Sequence, residues 1–176
     1  MQKIVRMFSY YLDLERFAYR DSLTDLYNRR YLSIFFDNHS SKGGVIFFLD
    51  LDGFKKVNDV HGHEAGDRVL KEVASRLQKL AAEHPDTFAV RLGGDDFVMH
   101  FPPLGNKADI NQQAEQILRS LRNWDAKYQL STSIGIITYS DNYPDDLTTL
   151  LKYADQALYE AKTSGKNTYK FSERSL

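Results

Sequence analysis

The chain has 176 residues, with 23 lysines and arginines against 24 aspartates and glutamates and a formal net charge of -1. That length suits one domain, or one domain with a helical extension, and is enough to bury a proper core. The balanced charge gives no footprint for duplex nucleic acid, and the lack of cysteine excludes disulfides, thiolate catalysis and cysteine-ligated zinc.

Residues 2–20 lack Gly and Pro and carry Ile4, Phe8, Tyr11, Leu12 and Phe17 at near-helical spacing. This helix either packs on the domain or connects it to an upstream module, so residues 1–20 are set apart from a domain over 21–176. Asp21-Ser22-Leu23-Thr24-Asp25-Leu26-Tyr27-Asn28-Arg29-Arg30 reads as a polar turn feeding a helix with Tyr31, Leu32, Phe35 and Phe36. Ser41-Lys42-Gly43-Gly44 ends that helix and opens an apolar strand over 45–49, which runs into Asp50-Leu51-Asp52-Gly53. A short helical turn over 54–60 and the loop His61-Gly62-His63-Glu64 come next. A long amphipathic helix follows, with Val69, Leu70, Val73, Leu77 and Leu80 on one face.

His84-Pro85-Asp86 breaks that helix. Phe88-Ala89-Val90 and Phe97-Val98-Met99 then flank Gly93-Gly94, the pattern of a β-hairpin. After Pro102-Pro103-Leu104-Gly105 comes a helix with Ile110, Ala114, Ile117, Leu118 and Leu121, then a strand over 128–139. Asp145 is expected to cap a last helix carrying Leu147, Leu150, Leu151, Ala154 and Leu158, with Gly165 just past its end and a closing strand over 168–171. The order β-α-β-β-α-β implies an α+β sandwich with helices on one face of a mainly antiparallel sheet. No apolar run approaches the roughly 18 to 20 uncharged residues of a membrane span. The start, Met1 to Phe8, carries Lys3 and Arg6 but no apolar core of a secretory signal. A soluble, cytoplasmic protein is expected, whether Met1 is the natural start or opens an excised fragment.

The hairpin turn Gly93-Gly94-Asp95-Asp96 and the strand end Asp50-Leu51-Asp52 put acids at the tips of two strands. Either alone reads as a polar turn. Together they point to an oxygen-lined Mg²⁺ site and metal-dependent phosphate chemistry. The paired glycines bend the backbone tightly and leave no side chain between it and a ligand.

These motifs, in this order, resemble the GGDEF domain family, the diguanylate cyclases. The resemblance rests on Asp21-Ser22-Leu23-Thr24-Asp25-Leu26 with Asn28-Arg29-Arg30; on Asp50-Leu51-Asp52-Gly53-Phe54-Lys55; on Asn58-Asp59; and on Gly62-His63-Glu64-Ala65-Gly66-Asp67. The signature hairpin, Ser133-Ile134-Gly135, the run from Ala154 to Lys162 and Gly165-Lys166-Asn167 complete it. It implies a fold like the palm of nucleotide cyclases and polymerases, a mainly antiparallel central sheet flanked by helices. It also implies condensation of two GTP into cyclic di-GMP and pyrophosphate, by 3′-hydroxyl attack on an α-phosphate, in a homodimer with Mg²⁺ or a substituting Mn²⁺.

By the same resemblance, Asp50, the carbonyl of Leu51 and Asp95 hold metal, with Asp96 close by. Asp95, Asp96 and Lys55 are the expected catalytic groups. Gly93, Gly94 and the backbone amides at Phe54 and Lys55 meet the nucleotide and its phosphates, and Lys162 and Lys166, four apart across a helix end, grip the γ-phosphate. Asn58 and Asp67 resemble the guanine readers, and an aspartate accepts from guanine N1–H and N2–H₂, which adenine does not offer together. Asp52 is expected to point away from Asp50 and to serve the structure, His63 to orient a loop, and Arg29 and Arg30 to anchor one. Arg91 is expected to hold the signature turn by an ion pair. His61 and His100 have no partner spacing for a metal.

Two departures stand out. Asp96 replaces the usual glutamate, which pulls its oxygens back by about one C–C bond, roughly 1.5 Å. The Arg-x-x-Asp product site of many relatives would fall at His84 and Thr87, with Asp86 out of register, so no tight product inhibition is expected there. Two alternatives stay open: a catalytically silent module that binds GTP or cyclic di-GMP, and an interaction module in which residues 1–20 dimerise.

Overall fold

In the computed structural model, residues 2–140 and 146–174 are described, apart from the side chains of Gln2, Lys3, Phe8, Ser9, Tyr11 and Leu12. The chain runs α1 (Gln2–Tyr19), β1 (Tyr27–Asn28), α2 (Arg29–His39), a 3₁₀ turn (Ser40–Lys42), β2 (Gly44–Asp52), α3 (Phe54–His61) and α4 (His63–Ala82). It continues as β3 (Phe88–Gly93), β4 (Asp96–Phe101), α5 (Lys107–Ser120), β5 (Ser131–Tyr139), α6 (Leu147–Thr163) and β6 (Tyr169–Phe171). The sheet has the order β1-β3-β4-β2-β5-β6. Its three central pairings are antiparallel, whereas β1 on β3 and β6 on β5 are parallel.

Helices cover both faces of this sheet, not one. Val45, Phe47, Leu49 and Leu51 of β2 pack with α3, α4 and α5, while Ile46 and Phe48 pack with α2 and α6. A strand buried on both sides needs no polar alternation, which is why β2 reads as an unbroken apolar run. Close packing of α6 depends on Gly135 of β5, because a Cβ there would collide with the backbone of Ala154 and Leu158. That approach carries the C-terminal end of α6 to the tip of β2.

Three element boundaries differ from the sequence expectation. β5 begins at Ser131 rather than 128, because Gln129 has a φ of 48° and cannot extend a strand. The side chain of Asp146 caps α6 by accepting from the Thr149 amide at 2.7 Å; Asp145, the expected cap, lies outside the described residues. Strand β1 was not expected at all. Of the apolar positions read in α1, the side chains of Phe8, Tyr11 and Leu12 fall outside the description, and Ile4 and Phe17 are exposed. No described helix is long and apolar enough to cross a membrane.

Candidate active site

Antiparallel pairing of β2 with β4 sets Asp50 directly opposite Asp96, and Asp95 sits beside them on the turn between β3 and β4. The turn is made by glycines with φ of 146° at Gly93 and 53° at Gly94, the second a left-handed value that costs a side chain-bearing residue energy. No atom would meet a Cβ at either glycine within 4 Å, so the space over the turn is open. A register shift between Arg91 and Gly93 bulges the strand just before it.

Arg91 holds this turn, as expected. Its Nε and Nη2 donate to the Gly94 carbonyl at 3.0 and 2.8 Å, and its Nη1 pairs with Asp21 at 3.0 Å. The sequence reading did not identify Asp21 as the partner. Asp21 is fixed in turn by the Thr24 amide and hydroxyl at 2.9 and 2.6 Å, and Thr24 and Arg91 together hold its carboxylate in the charged form, below the usual range, despite partial burial. The end of α1 and the signature turn are thus tied through one arginine.

The carboxylates at the strand tips are electrostatically crowded. Partial burial pushes Asp96 up to about 6, and repulsion from Asp50 and Asp95 adds to it. Burial also raises Asp50, against the pull of the Lys162 ammonium 2.7 Å away, with Asp95 and Asp52 raising it further. One lysine does not balance that concentration of acid. Among the described residues no three His, Asp or Glu side chains form a ready-made metal cage. The donors present are two carboxylates opposed across a strand pair, a third on the turn and the Leu51 carbonyl. All are oxygen, and Mg²⁺ binds through one or two carboxylates while keeping waters and phosphate partners, so the residues fit it.

Asp52 corrects one expectation. Two residues apart on a strand, Asp50 and Asp52 share a face, and Ser133, opposite Asp50, hydrogen-bonds Asp52. Its structural role nonetheless holds: it is buried and accepts from Ser131 Oγ at 2.8 Å, Ser133 Oγ at 2.9 Å and the Asn167 amide at 3.2 Å. The lysine pair also differs from expectation. Helix α6 ends at Thr163, and Lys166 follows Gly165 with a φ of 64°, so helical spacing does not place it beside Lys162. Lys162 lies on Asp50, whereas Lys166 is exposed beyond the helix.

From the tip of β2 the chain turns at Gly53 into α3, whose N-terminus has no side-chain cap. Its first amides, at Phe54 and Lys55, are therefore without intrahelical acceptors. Lys55 is exposed, and Lys56 instead donates to Gln129 Oε1 at 2.9 Å. Asn58 of α3 packs against Gly66 of α4, the residue before the exposed Asp67, so the two expected base readers lie on the adjoining helices α3 and α4. The expected phosphate donors and base readers thus follow directly on the acidic tip in the chain.

The expected anchors Arg29 and Arg30 are exposed at the start of α2. Anchoring falls to Arg16, paired with Asp25 at 2.9 Å, to Arg20, whose guanidinium lies 3.8 Å over the Tyr27 ring, and to Asn28, which donates to the Ala18 carbonyl at 3.0 Å. His61 contacts the Lys127 carbonyl at 3.4 Å, and His63 is exposed at the start of α4. At the position of the product site, His84 tilts against Phe101 and the Thr87 hydroxyl donates to the Pro85 carbonyl.

Comparison with known proteins agrees with this geometry. The family described as diguanylate cyclase, GGDEF domain, matches residues 18–168. The chain is 37% identical to the bifunctional diguanylate cyclase/cyclic di-GMP phosphodiesterase MucR of Pseudomonas aeruginosa, over 93% of this chain and 25% of that protein. It is 33% identical to diguanylate cyclase DgcS of Shewanella oneidensis, over 94% of this chain and 57% of that protein. A crystal structure of the coiled coil and GGDEF domain of DgcB from Caulobacter crescentus, in complex with c-di-GMP, superposes with a TM-score of 0.81 at 27% identity, covering 97% of this chain and 94% of that one. The chain spans only 21% to 57% of the first curated relatives it matches. Motifs, fold and relatives agree: the chain belongs to the GGDEF domain family of diguanylate cyclases.

Proposed function

We propose that the chain is a diguanylate cyclase that joins two GTP molecules into cyclic di-GMP, working as a homodimer with one nucleotide on each subunit. The observation that carries this reading is the facing of Asp50 and Asp96 across β2 and β4, with Asp95 on the adjoining turn. Asp50, the Leu51 carbonyl, Asp95 and Asp96 would hold Mg²⁺, or Mn²⁺ in its place. When bound, the ion supplies positive charge to phosphate oxygens that otherwise repel a nucleophile.

The chain's own groups bind and align. The uncapped amides of Phe54 and Lys55 and the Lys55 ammonium take the terminal phosphates at the start of α3. Lys162, already at the acidic tip, adds positive charge, and Lys166, exposed beyond the helix end, would have to swing in to meet the γ-phosphate. Gly93 and Gly94 leave room for the nucleotide over the turn. Asn58 and Asp67 read guanine. In the reaction the 3′-hydroxyl of each GTP attacks the α-phosphorus of the other: each attack gives up the hydroxyl proton to solvent, breaks the bond to the β-phosphate and releases one pyrophosphate, so two such steps close the ring. Alignment supplies much of the rate, since the attacking oxygen must approach in line.

Each subunit holds one nucleotide, so two must face each other. Helix α1 supports that arrangement: Met7, Tyr10, Leu14 and Phe17 are exposed and follow the 3-4-3 spacing of a coiled-coil seam. We read α1 as the connector through which an upstream module brings two domains together in the cytoplasm. Incubation with GTP and Mg²⁺ is expected to yield pyrophosphate and cyclic di-GMP. The short Asp96 favours one competing reading, a silent module. Nucleotide binding without turnover, in Mn²⁺ as well as Mg²⁺, would establish that reading instead.

A further inference from the structure

Gly66 lies buried in the second turn of α4, with ordinary helical backbone and no positive φ. Glycine is a poor helix former, so neither dihedral strain nor propensity explains it. Space does. A Cβ on Gly66 would collide with Asn58 Oδ1 and stand 3.0 Å from Asn58 Cγ and 3.2 Å from Phe54 Cζ. The amide of Asn58 is therefore seated on the bare Cα of Gly66, one residue before Asp67.

We propose that Gly66 is a positioning residue for base recognition: its missing side chain is the seat that sets the Asn58 amide at the guanine edge beside Asp67. The inference rests on the reading of Asn58 as a base contact. It adds that the α3–α4 packing distance, and not Asn58 alone, sets nucleotide preference. A methyl group at Gly66 would turn the amide away; its other near neighbour is the tip of the Phe54 ring, at a distance that a small shift of the ring relieves.

The test is equilibrium binding of GTP and of ATP to the full chain carrying Gly66→Ala, Asn58→Ala or both. Asn58→Ala is expected to weaken GTP binding about tenfold and to cut the preference over ATP, as loss of one hydrogen bond to a buried base edge does. Gly66→Ala is expected to match it. The double variant is expected to be no weaker than Asn58→Ala alone, because removing the amide removes the methyl's severe clash and leaves only the milder one with the Phe54 ring. Wild-type GTP binding by Gly66→Ala, with Asn58→Ala weakened, overturns the inference and spares the base-reader assignment. Wild-type binding by Asn58→Ala removes that assignment itself. Losses that add in the double variant also overturn the inference. Should Gly66→Ala fail to fold, recovery of folding in the double variant supports the seat, and failure of both assigns the glycine to Phe54 instead.

Discussion

Asp96 and His100 stand four residues apart on β4, on the same face of the sheet, and the protein treats these two titratable groups in opposite ways. His100, 3% exposed, is packed by Phe35 and Phe88 at ring distances of 4.8 and 4.9 Å and shares a 2.9 Å hydrogen bond with the Tyr139 hydroxyl. Burial pushes it down to about 4, so at neutral pH it is uncharged and costs the fold little. Asp96, only partly buried, stands with two further carboxylates and rises to about 6. One end of the strand removes charge, and the other accumulates it without balancing it. An excess of charge that the fold does not neutralise is what the proposed function needs at the place where it would bind a cation and a polyphosphate.

The sharpest way to break this comparison is to remove a carboxylate that serves no packing role. Asp95→Ala is expected to lower turnover by at least about a hundredfold, as loss of a charge-stabilising group at a phosphoryl centre does, with the unfolding midpoint unchanged. Cyclic di-GMP formation and thermal unfolding measured on the same preparation check it. A wild-type rate would remove Asp95 from the metal set.

Next in size is the clamp. Arg91 places the Gly94 carbonyl and hence Asp95, so Arg91→Ala is expected to lower kcat by about ten- to a hundredfold through misalignment. Asp21→Ala, which frees the guanidinium without removing it, is expected to cost less. Steady-state rates for both variants settle the order. Equal losses would mean that Asp21 acts on the site by another route.

The neutral end yields a stability prediction. Folded His100 titrates near 4 and an unfolded histidine near 6.5, so between those values the unfolded chain holds the extra proton. His100 therefore leaves stability intact above 6.5 and reduces it progressively as pH falls toward 4. The full effect is about 3 kcal/mol at 1.36 kcal/mol per pH unit. Denaturant unfolding across that window should show a steeper loss for the wild type than for His100→Leu. Parallel curves would mean that the ring takes up its proton without unfolding.

Much of this was legible in the sequence because it is local. Glycine punctuation marked the signature turn, and helical spacing marked α4, α5 and α6. The acids at 50, 95 and 96 followed from strand ends meeting turns. What was missed is tertiary. The run over 45–49 lacks alternation because both faces are covered, a pattern that the assignment of helices to one face overlooked. Strand β1, two residues long, is too short to show a period. Asp21 and Arg91 are 70 positions apart, and only the parallel pairing of β1 on β3 brings them together. Asp52 was misdirected even though strand geometry alone sets its face. Its serine partners, on β5, were not legible as such.

The smallest expected effect sharpens the comparison most. Asp96, partly buried, faces Asp50 directly, so its charge is crowded by a like one. Asp96→Glu moves the carboxylate outward by about 1.5 Å, away from Asp50 and toward solvent. That should ease the crowding with Asp50 and bring the oxygens within easier reach of the ion. A rise of about two- to fivefold in Mg²⁺-dependent rate is expected, since better geometry at a half-exposed site is worth about 1 kcal/mol or less. The concentration of Mg²⁺ for half-maximal rate should fall with it. Asp96→Asn is the counterpart: in metal-free buffer at neutral pH it is expected to stabilise the fold by about 1 kcal/mol, after allowance for water screening, while slowing turnover. If Asp96→Glu brings no gain and Asp96→Asn no stabilisation, the crowding of charge at this edge is not what limits the enzyme, and the contrast between the two ends of β4 would reduce to burial alone.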